Sequence, residues 1–284
     1  MFIRLLKKED KYKEFQKSLE QIRKESKKIR QIINEDVYKN AILVAQHHQK
    51  IFPQFKNIHQ EKTGILVATG PTLNYYSPIK DGIHFGVNSA CLLENISLDY
   101  LFALDYSRIK ENAQILKQTG YIKFFGQGAV SYPHTYYDRK RHIPDAFIDS
   151  IPHSYKYYMD IRNYNTINPC IEMQALPDFA SCVYGAAYFA LYTGIKKLYI
   201  VGCDCAKNGY FNTTAQEDHF SSIRLINGWK IFKGYAEAFY PDVEIISVNP
   251  IGLIGVFKDV YTEKYLAEYP EIMENIGTSI EIIK

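Results

Sequence analysis

The residues of this chain with useful chemistry are few and lie far apart in sequence. His219, inside Gln216-Glu217-Asp218-His219-Phe220-Ser221-Ser222, is a candidate general base. A neutral imidazole near its ordinary pKa suits proton removal from a hydroxyl. The run Ala68-Thr69-Gly70-Pro71-Thr72-Leu73 is a candidate phosphate cradle. Glycine there lets backbone approach a ligand, and a helix starting just after it would offer N–H groups and a positive dipole. Asn88, Asp105, Ser181, Asp204 and Tyr210 can each hydrogen-bond a nucleotide, and so can Asn249 beside Pro250. Together these types point to a bound nucleotide and an activated hydroxyl.

Such scattered residues need elements that bring them together. Short apolar runs at 65–67, 84–90, 98–105, 121–127, 196–204 and 243–249 read as strands. Between them, residues 181–194 read as a helix rich in small residues, with Ser181 as N-cap and Gly194 as its stop. A second helix is expected over residues 224–239, with His219 in the polar loop before it. Strands alternating with helices imply an α/β, Rossmann-like, doubly wound and mostly parallel sheet. In such sheets ligands bind at the carboxyl ends of the strands, near a topological switch point. Each candidate above follows a strand or opens a helix. Residues 131–170 show no clear period and are expected to form a lid or substrate loop.

The N-terminal segment is different. Residues 1–40 hold 12 basic and 7 acidic residues, a local +5, while the remaining 244 carry a net −2. Tyr12, Phe15, Leu19, Ile22, Ile29 and Ile33 repeat at three and four, with Ser26 filling the missing position. That spacing makes a helix with a narrow apolar seam. A second helix is expected from Val37 to Ile51, ending before Pro53. Residues 1–60 are therefore an N-terminal helical extension and 61–284 the nucleotide-binding domain. Three uses of the extension stay open: a hairpin on its own domain, self-association through the seam, or docking of its basic face on anionic lipid at the inner membrane face.

Several classes are excluded. With 46% hydrophobic and 23% charged residues, the composition is that of a globular protein, not a disordered or collagen-like one. A net charge of +3 gives no case for nucleic acid. No apolar run is long enough to span a bilayer, and no signal-peptide pattern is visible. Five scattered Cys read as reduced thiols of a cytoplasmic protein. Neither GxxxxGK[ST] nor GxSxG occurs. Cys203 and Cys205 are expected to point to opposite faces and lack a second Cys pair, so no metal site is expected. The 24 Tyr suit ring stacking on a sugar or base, but an AT-rich coding sequence would also produce them.

The run ILVATGPTL (residues 65–73) resembles the first strand and glycine turn of bacterial family 42 sialyltransferases. HFGVN, SCVYGAAYFALYTGIKKLYIVGCD and VEIISVNPIGLI continue that resemblance in order, over roughly residues 63–257. The same skeleton is similar to motility-associated flagellin glycosyltransferases and archaeal hydroxymethylpterin pyrophosphokinases. The resemblance implies a metal-independent glycosyltransferase. It would move a sialic acid-like nonulosonate from a CMP-linked donor to a glycan or glycolipid acceptor, with no further cofactor. By position, Thr69, Gly70, Pro71 and Thr72 would sit against the nucleotide and Asn88 against ribose or phosphate. Asp105 would stand near the cytidine, Ser181 against the donor, Asp204 in the GxD strand end and Tyr210 near the leaving phosphate. His219 would be the base. Asp178 and Ala206 depart from the pattern, which has Arg and Tyr there. The alternatives are a Mg-dependent diphosphotransferase and a catalytically degenerate scaffold.

Overall fold

The structure is a computed structural model that describes residues 2–128, 142–160, 170–179, 181–206, 209–212, 219–272 and 281–283. The chain divides into two units, Met1–Leu43 and Val44–Lys284. One helix, Phe2–His48, accounts for the first unit and reaches the start of the second. The expected break before Val37 is absent, and with it the helical hairpin. Asn34-Glu35-Asp36 is polar but holds neither Gly nor Pro, and polar side chains alone do not stop a helix.

The second unit is built on a ten-stranded sheet. Its strands are β1 (Thr63–Val67), β2 (Ile83–Val87), β3 (Tyr100–Ala103), β4 (Ile122–Gly128) and β5 (Ser154–Asp160). They continue with β6 (Leu176–Pro177), β7 (Lys197–Val201), β8 (Glu244–Val248), β9 (Lys258–Thr262) and β10 (Glu281–Ile283). The order is β10-β9-β8-β7-β1-β2-β3-β4-β5-β6, and every pairing is parallel. The chain builds outward from β1 to β6, returns to lay β7 on the other side of β1, and builds outward again. The switch point therefore lies between β1 and β7. This is the Rossmann-like α/β class the sequence pattern implied.

Alternate residues divide the core in two. Leu66, Phe85, Phe102, Phe124, Leu198 and Ile200 face the helices Val183–Tyr192 and His219–Phe239. Ile65, Val67, Leu101, Phe125, Ile246 and Val260 face the other way, toward short turns and helices such as Pro71–Tyr75, Asn88–Leu92 and Ala113–Gln118. Ile51, Phe52 and Phe55 lie in the first of these cores.

Four strands were not expected: β5, β6, β9 and β10. β5 falls inside the stretch taken for a lid, where residues 142–160 instead supply the short helix Asp145–Asp149 and the strand. The rest of that stretch, 129–141 and 161–169, lies outside the described residues. In β5 the core-facing positions are Tyr155, Tyr157 and Met159, an alternation hidden by its tyrosines. Tyr157, Tyr184 and Tyr188 are fully buried, so much of the tyrosine content serves as core.

Phe189 is the centre of the larger core. Six aromatic rings, of Phe52, Phe55, Phe85, Tyr100, Phe102 and Phe124, surround it at 4.8 to 6.1 Å between centroids. Phe189→Ala is expected to cost about 3–5 kcal/mol of unfolding free energy, measured by denaturant titration.

His48 is held neutral in the interior. Its Nε2 accepts from the Tyr158 N–H at 2.8 Å, so its Nδ1–H donates to the Ile171 carbonyl at 2.9 Å. Burial pulls its pKa down to about 4. The unfolded chain takes this proton near its ordinary value, about 6.5, before the native chain does. This group's contribution to stability should therefore fall as pH drops from about 6.5 to about 4, by roughly 3 kcal/mol. Half-buried His47 and His59 and buried His84, whose pKa values desolvation also lowers, act in the same direction. Urea midpoints across this range should show the slope, and His48→Gln should reduce it by one proton.

Candidate functional site

The site begins where β1 and β7 end side by side. β1 continues through Ala68, whose N–H donates to the Val201 carbonyl, into Gly70, whose N–H donates to the Gly202 carbonyl at 2.6 Å. Gly202 turns the other chain with a φ of +65°. Asp204 follows and is buried. Its carboxylate accepts from the Thr72 N–H at 3.1 Å and from the Thr72 hydroxyl. A side chain on Gly70 would fall 2.7 Å from the Asp204 carboxyl carbon and from the Gly202 carbonyl. Gly70 keeps a φ of −74°, so the position needs glycine for closeness, not for backbone angle.

The element after this turn is one 3-10 turn, Pro71–Tyr75, not the expected helix start. Pro71 opens it and contributes no N–H. The N–H groups of Gly70, Thr72 and Leu73 are taken by Gly202, Asp204 and Gly70. The turn is thus fixed from inside by Asp204. Thr69, Gly70 and Pro71 are half-exposed while Thr72 is buried, and the Thr69 carbonyl accepts from the Phe211 N–H at 2.8 Å.

The next strand ends carry the other candidates. Asn88, after β2, has a φ of +46°, and its Oδ1 accepts from the Leu104 N–H at 3.1 Å and the Cys182 thiol at 3.3 Å. One side chain so joins the end of β3 to the segment that opens the helix Val183–Tyr192. Asp105, after β3, has a φ of +80° and accepts from the N–H and hydroxyl of Ser107. Arg108 reaches back to it, Nε to Oδ2 at 4.0 Å, and lies 5.7 Å over the Tyr210 ring. Ser181 donates its N–H to the Asp178 carbonyl at 2.6 Å. It is not the N-cap, which is Cys182, although its Oγ accepts from the Val183 N–H at 3.3 Å.

These contacts form one unbroken path along the carboxyl edge. It runs from Ser181 and Cys182 through Asn88, Leu104, Asp105, Arg108, Tyr210, Phe211 and Thr69 to Gly70, Thr72 and Asp204. The path includes Thr69, Gly70, Thr72, Asn88, Asp105, Ser181, Asp204 and Tyr210, but not Asn249. His219 is the first described residue of the helix His219–Phe239 instead of lying in a loop, and its side chain lies outside the described residues. No Gly or Pro lies between it and residue 224, so the helix extends back to it. That helix packs its Gly228 on Tyr184 and Phe179, where a Cβ would come within 2.8 Å of both. The backbone of His219 stands roughly 2.5 turns upstream of that contact.

Two expectations change. Asn249 is fully buried, and its amide exchanges hydrogen bonds with Thr262 N at 2.9 Å and Thr262 Oγ1 at 3.0 Å, fastening β8 to β9. Cys203 and Cys205 lie on one side, Sγ to Sγ 3.8 Å. Residues two apart share a face in extended chain, and the Cys205 φ of +48° brings the thiols closer. The Cys205 thiol and burial push the Cys203 pKa well up. Among the described residues, no cluster of three or more His, Cys, Asp or Glu is arranged to hold a metal. No described helix is long and apolar enough to cross a membrane. Arg108 was missed from sequence, where nothing marks it until the fold sets it beside Asp105 and Tyr210.

No protein-family model and no curated protein sequence matches this chain. Among solved structures it is similar to the MAf glycosyltransferase from Magnetospirillum magneticum AMB-1, with 13% identity and a TM-score of 0.44. The alignment covers 78% of this chain and 39% of that one, so this chain spans about two fifths of its length. It is also similar to the sialyltransferase CstII from Campylobacter jejuni, solved with a substrate analogue, cytidine-5'-monophosphate. There the identity is 16%, the TM-score 0.36, and the coverage 66% of this chain and 80% of that one.

Gly70→Ala is expected to destabilise the chain by about 1–3 kcal/mol, because neither the carboxylate nor the carbonyl can retreat. Gly234→Ala is the control. It has nothing within 4 Å of the new Cβ, and it should gain about 0.5–1 kcal/mol from helix propensity. Urea unfolding of both variants reads the difference.

Proposed function

We propose that the chain is a metal-independent glycosyltransferase that transfers a sialic acid-like sugar from a CMP-linked donor to a glycan or glycolipid hydroxyl. One observation carries this reading: Ser181, Asn88, Asp105, Arg108, Tyr210 and the Thr69–Thr72 turn are joined at one sheet edge by contacts of their own or of their chain neighbours Cys182, Leu104 and Phe211. Among the described residues, that edge offers amide, hydroxyl and carboxylate groups for a nucleoside and the Arg108 guanidinium for a phosphate.

In this reading the Thr69–Thr72 turn, Asn88 and Ser181 hold the donor, and Asp105 stands by the cytidine. His219 takes the proton from the acceptor hydroxyl as its oxygen bonds to the anomeric carbon. The bond from that carbon to the phosphate oxygen breaks, and CMP leaves. Arg108 and Tyr210 face the developing phosphate charge. Asp204 supports the turn from behind. The protein works at the cytoplasmic side, on a sugar-nucleotide donor and with no other cofactor.

Calorimetry with CMP, UDP, GDP and ATP, with and without magnesium, tests the donor class. CMP should bind without magnesium. Binding of ATP with magnesium alone would assign the diphosphotransferase reading, and binding of none would assign a scaffold. With a CMP-linked donor, His219→Ala should lower kcat by about 100-fold or more and leave CMP affinity unchanged.

A further inference from the structure

The helix of the first unit carries an apolar seam that the site does not use. Phe15, Leu19 and Ile22 are 59%, 36% and 57% exposed. In the sequence they continue the three-four repeat of Tyr12, Ser26, Ile29 and Ile33. Counting Tyr12 as a, the a positions are 12, 19, 26 and 33 and the d positions are 15, 22 and 29. Apart from Ile32 at its C-terminal end, the stripe is confined to a and d, the width of a coiled-coil seam and narrower than the face a helix lays on lipid.

The flanking positions select the partner. The g residues are Lys11, Ser18, Glu25 and Ile32, and the e residues are Gln16, Arg23 and Arg30. In a parallel pair each g residue meets the e residue five positions on in the other helix. Glu25 then faces Arg30 twice by symmetry, Ser18 faces Arg23, Lys11 faces Gln16, and no like charges meet. An antiparallel pair faces e with e and sets Arg against Arg or Gln. Lys17 and Lys24 lie at f, opposite the seam. Ser26 puts a polar residue at one a position, a device that fixes register at some cost in stability.

We propose that residues 12–33 pair with the same residues of a second copy of this chain as a parallel two-stranded coiled coil. The occupant is a second copy because the seam repeats with the coiled-coil period and its flanks are complementary to themselves.

Sedimentation velocity of the full chain from about 1 to about 100 µM should show a reversible monomer–dimer equilibrium. Ile22→Asp should weaken it by about 100-fold or more, since two apolar side chains are lost per dimer. Ile22 is exposed in the single chain, so near-UV circular dichroism of the variant should match the parent. Glu25→Arg should weaken the dimer by about 3- to 10-fold, and adding Arg30→Glu should restore it. Ser26→Cys should give a disulfide joining residue 26 of both copies, identified by peptide mapping. A monomer at every concentration overturns the proposal, as does a dimer that Ile22→Asp leaves intact. So does a chain that stays monomeric and cosediments with phosphatidylglycerol vesicles through Ile22, which would assign the seam to lipid. A chain that dimerises through Ile22 but gives no disulfide between the two residues 26 under oxidising conditions would overturn the parallel arrangement.

Discussion

The grip of the Asp204 carboxylate on Thr72 is the contact on which the candidate site depends. β1 and β7 are adjacent in space but 130 residues apart in sequence. Beyond the backbone bonds from Ala68 to Val201 and from Gly70 to Gly202, a side-chain tie joins their ends. Asp204 supplies it by accepting both the N–H and the hydroxyl of Thr72, and Gly70 permits it by leaving room for the carboxyl group. A buried carboxylate is costly unless it is hydrogen-bonded, so the same contact that shapes the turn makes the burial of Asp204 tolerable. Gly252 extends the tie, donating its N–H to the Asp204 carbonyl. The turn is preorganised and presents Thr69 and Pro71 outward.

The rest of the edge repeats one backbone device. Asn88, Asp105, Phe179, Cys205 and Asn249 all have positive φ, and each follows a strand within four residues. A left-handed residue bends the chain sharply at the strand end, so its neighbours stay close to the edge. Asn and Asp bear that angle best, and three of the five positions use them. Backbone of this kind persists where surrounding contacts over-determine it, and such positions concentrate at functional sites. Here Asn88 is held by Leu104 and Cys182, and Asn249 by Thr262. On the other side of the sheet, long helices and the ring cluster around Phe189 supply the rigid support.

Fold class was legible because the central strands are buried on both faces and read as continuous apolar runs between turn residues. β5 was not, because Tyr155, Tyr157 and Tyr158 blur the division between core and surface positions. β6 is two residues long, and β9 follows a glycine-rich turn that masks its start. At the site, strand-end position singled out Thr69, Asn88, Asp105 and Asp204 as candidates, and an expected helix start singled out Ser181. It could not separate residues that face outward from those spent on the fold. Asn249 looked like the others and proved to be a fastener, and Asp204 faces Thr72. Arg108 sits on an exposed short helix, where a basic residue has no marked meaning until Asp105 and Tyr210 are placed beside it. The seam of the first unit was legible from spacing alone, but the continuity of its helix across residues 34–36 was not.

Hydrogen exchange of the full chain with and without CMP, followed by mass spectrometry, locates the nucleotide directly. A ligand held at the carboxyl edge should slow exchange in peptides covering residues 68–76, 86–92 and 102–110. Slowing instead at the opposite edge, around the cavity lined by Asp99, Tyr100, Thr119 and Tyr121, would contradict the proposed site.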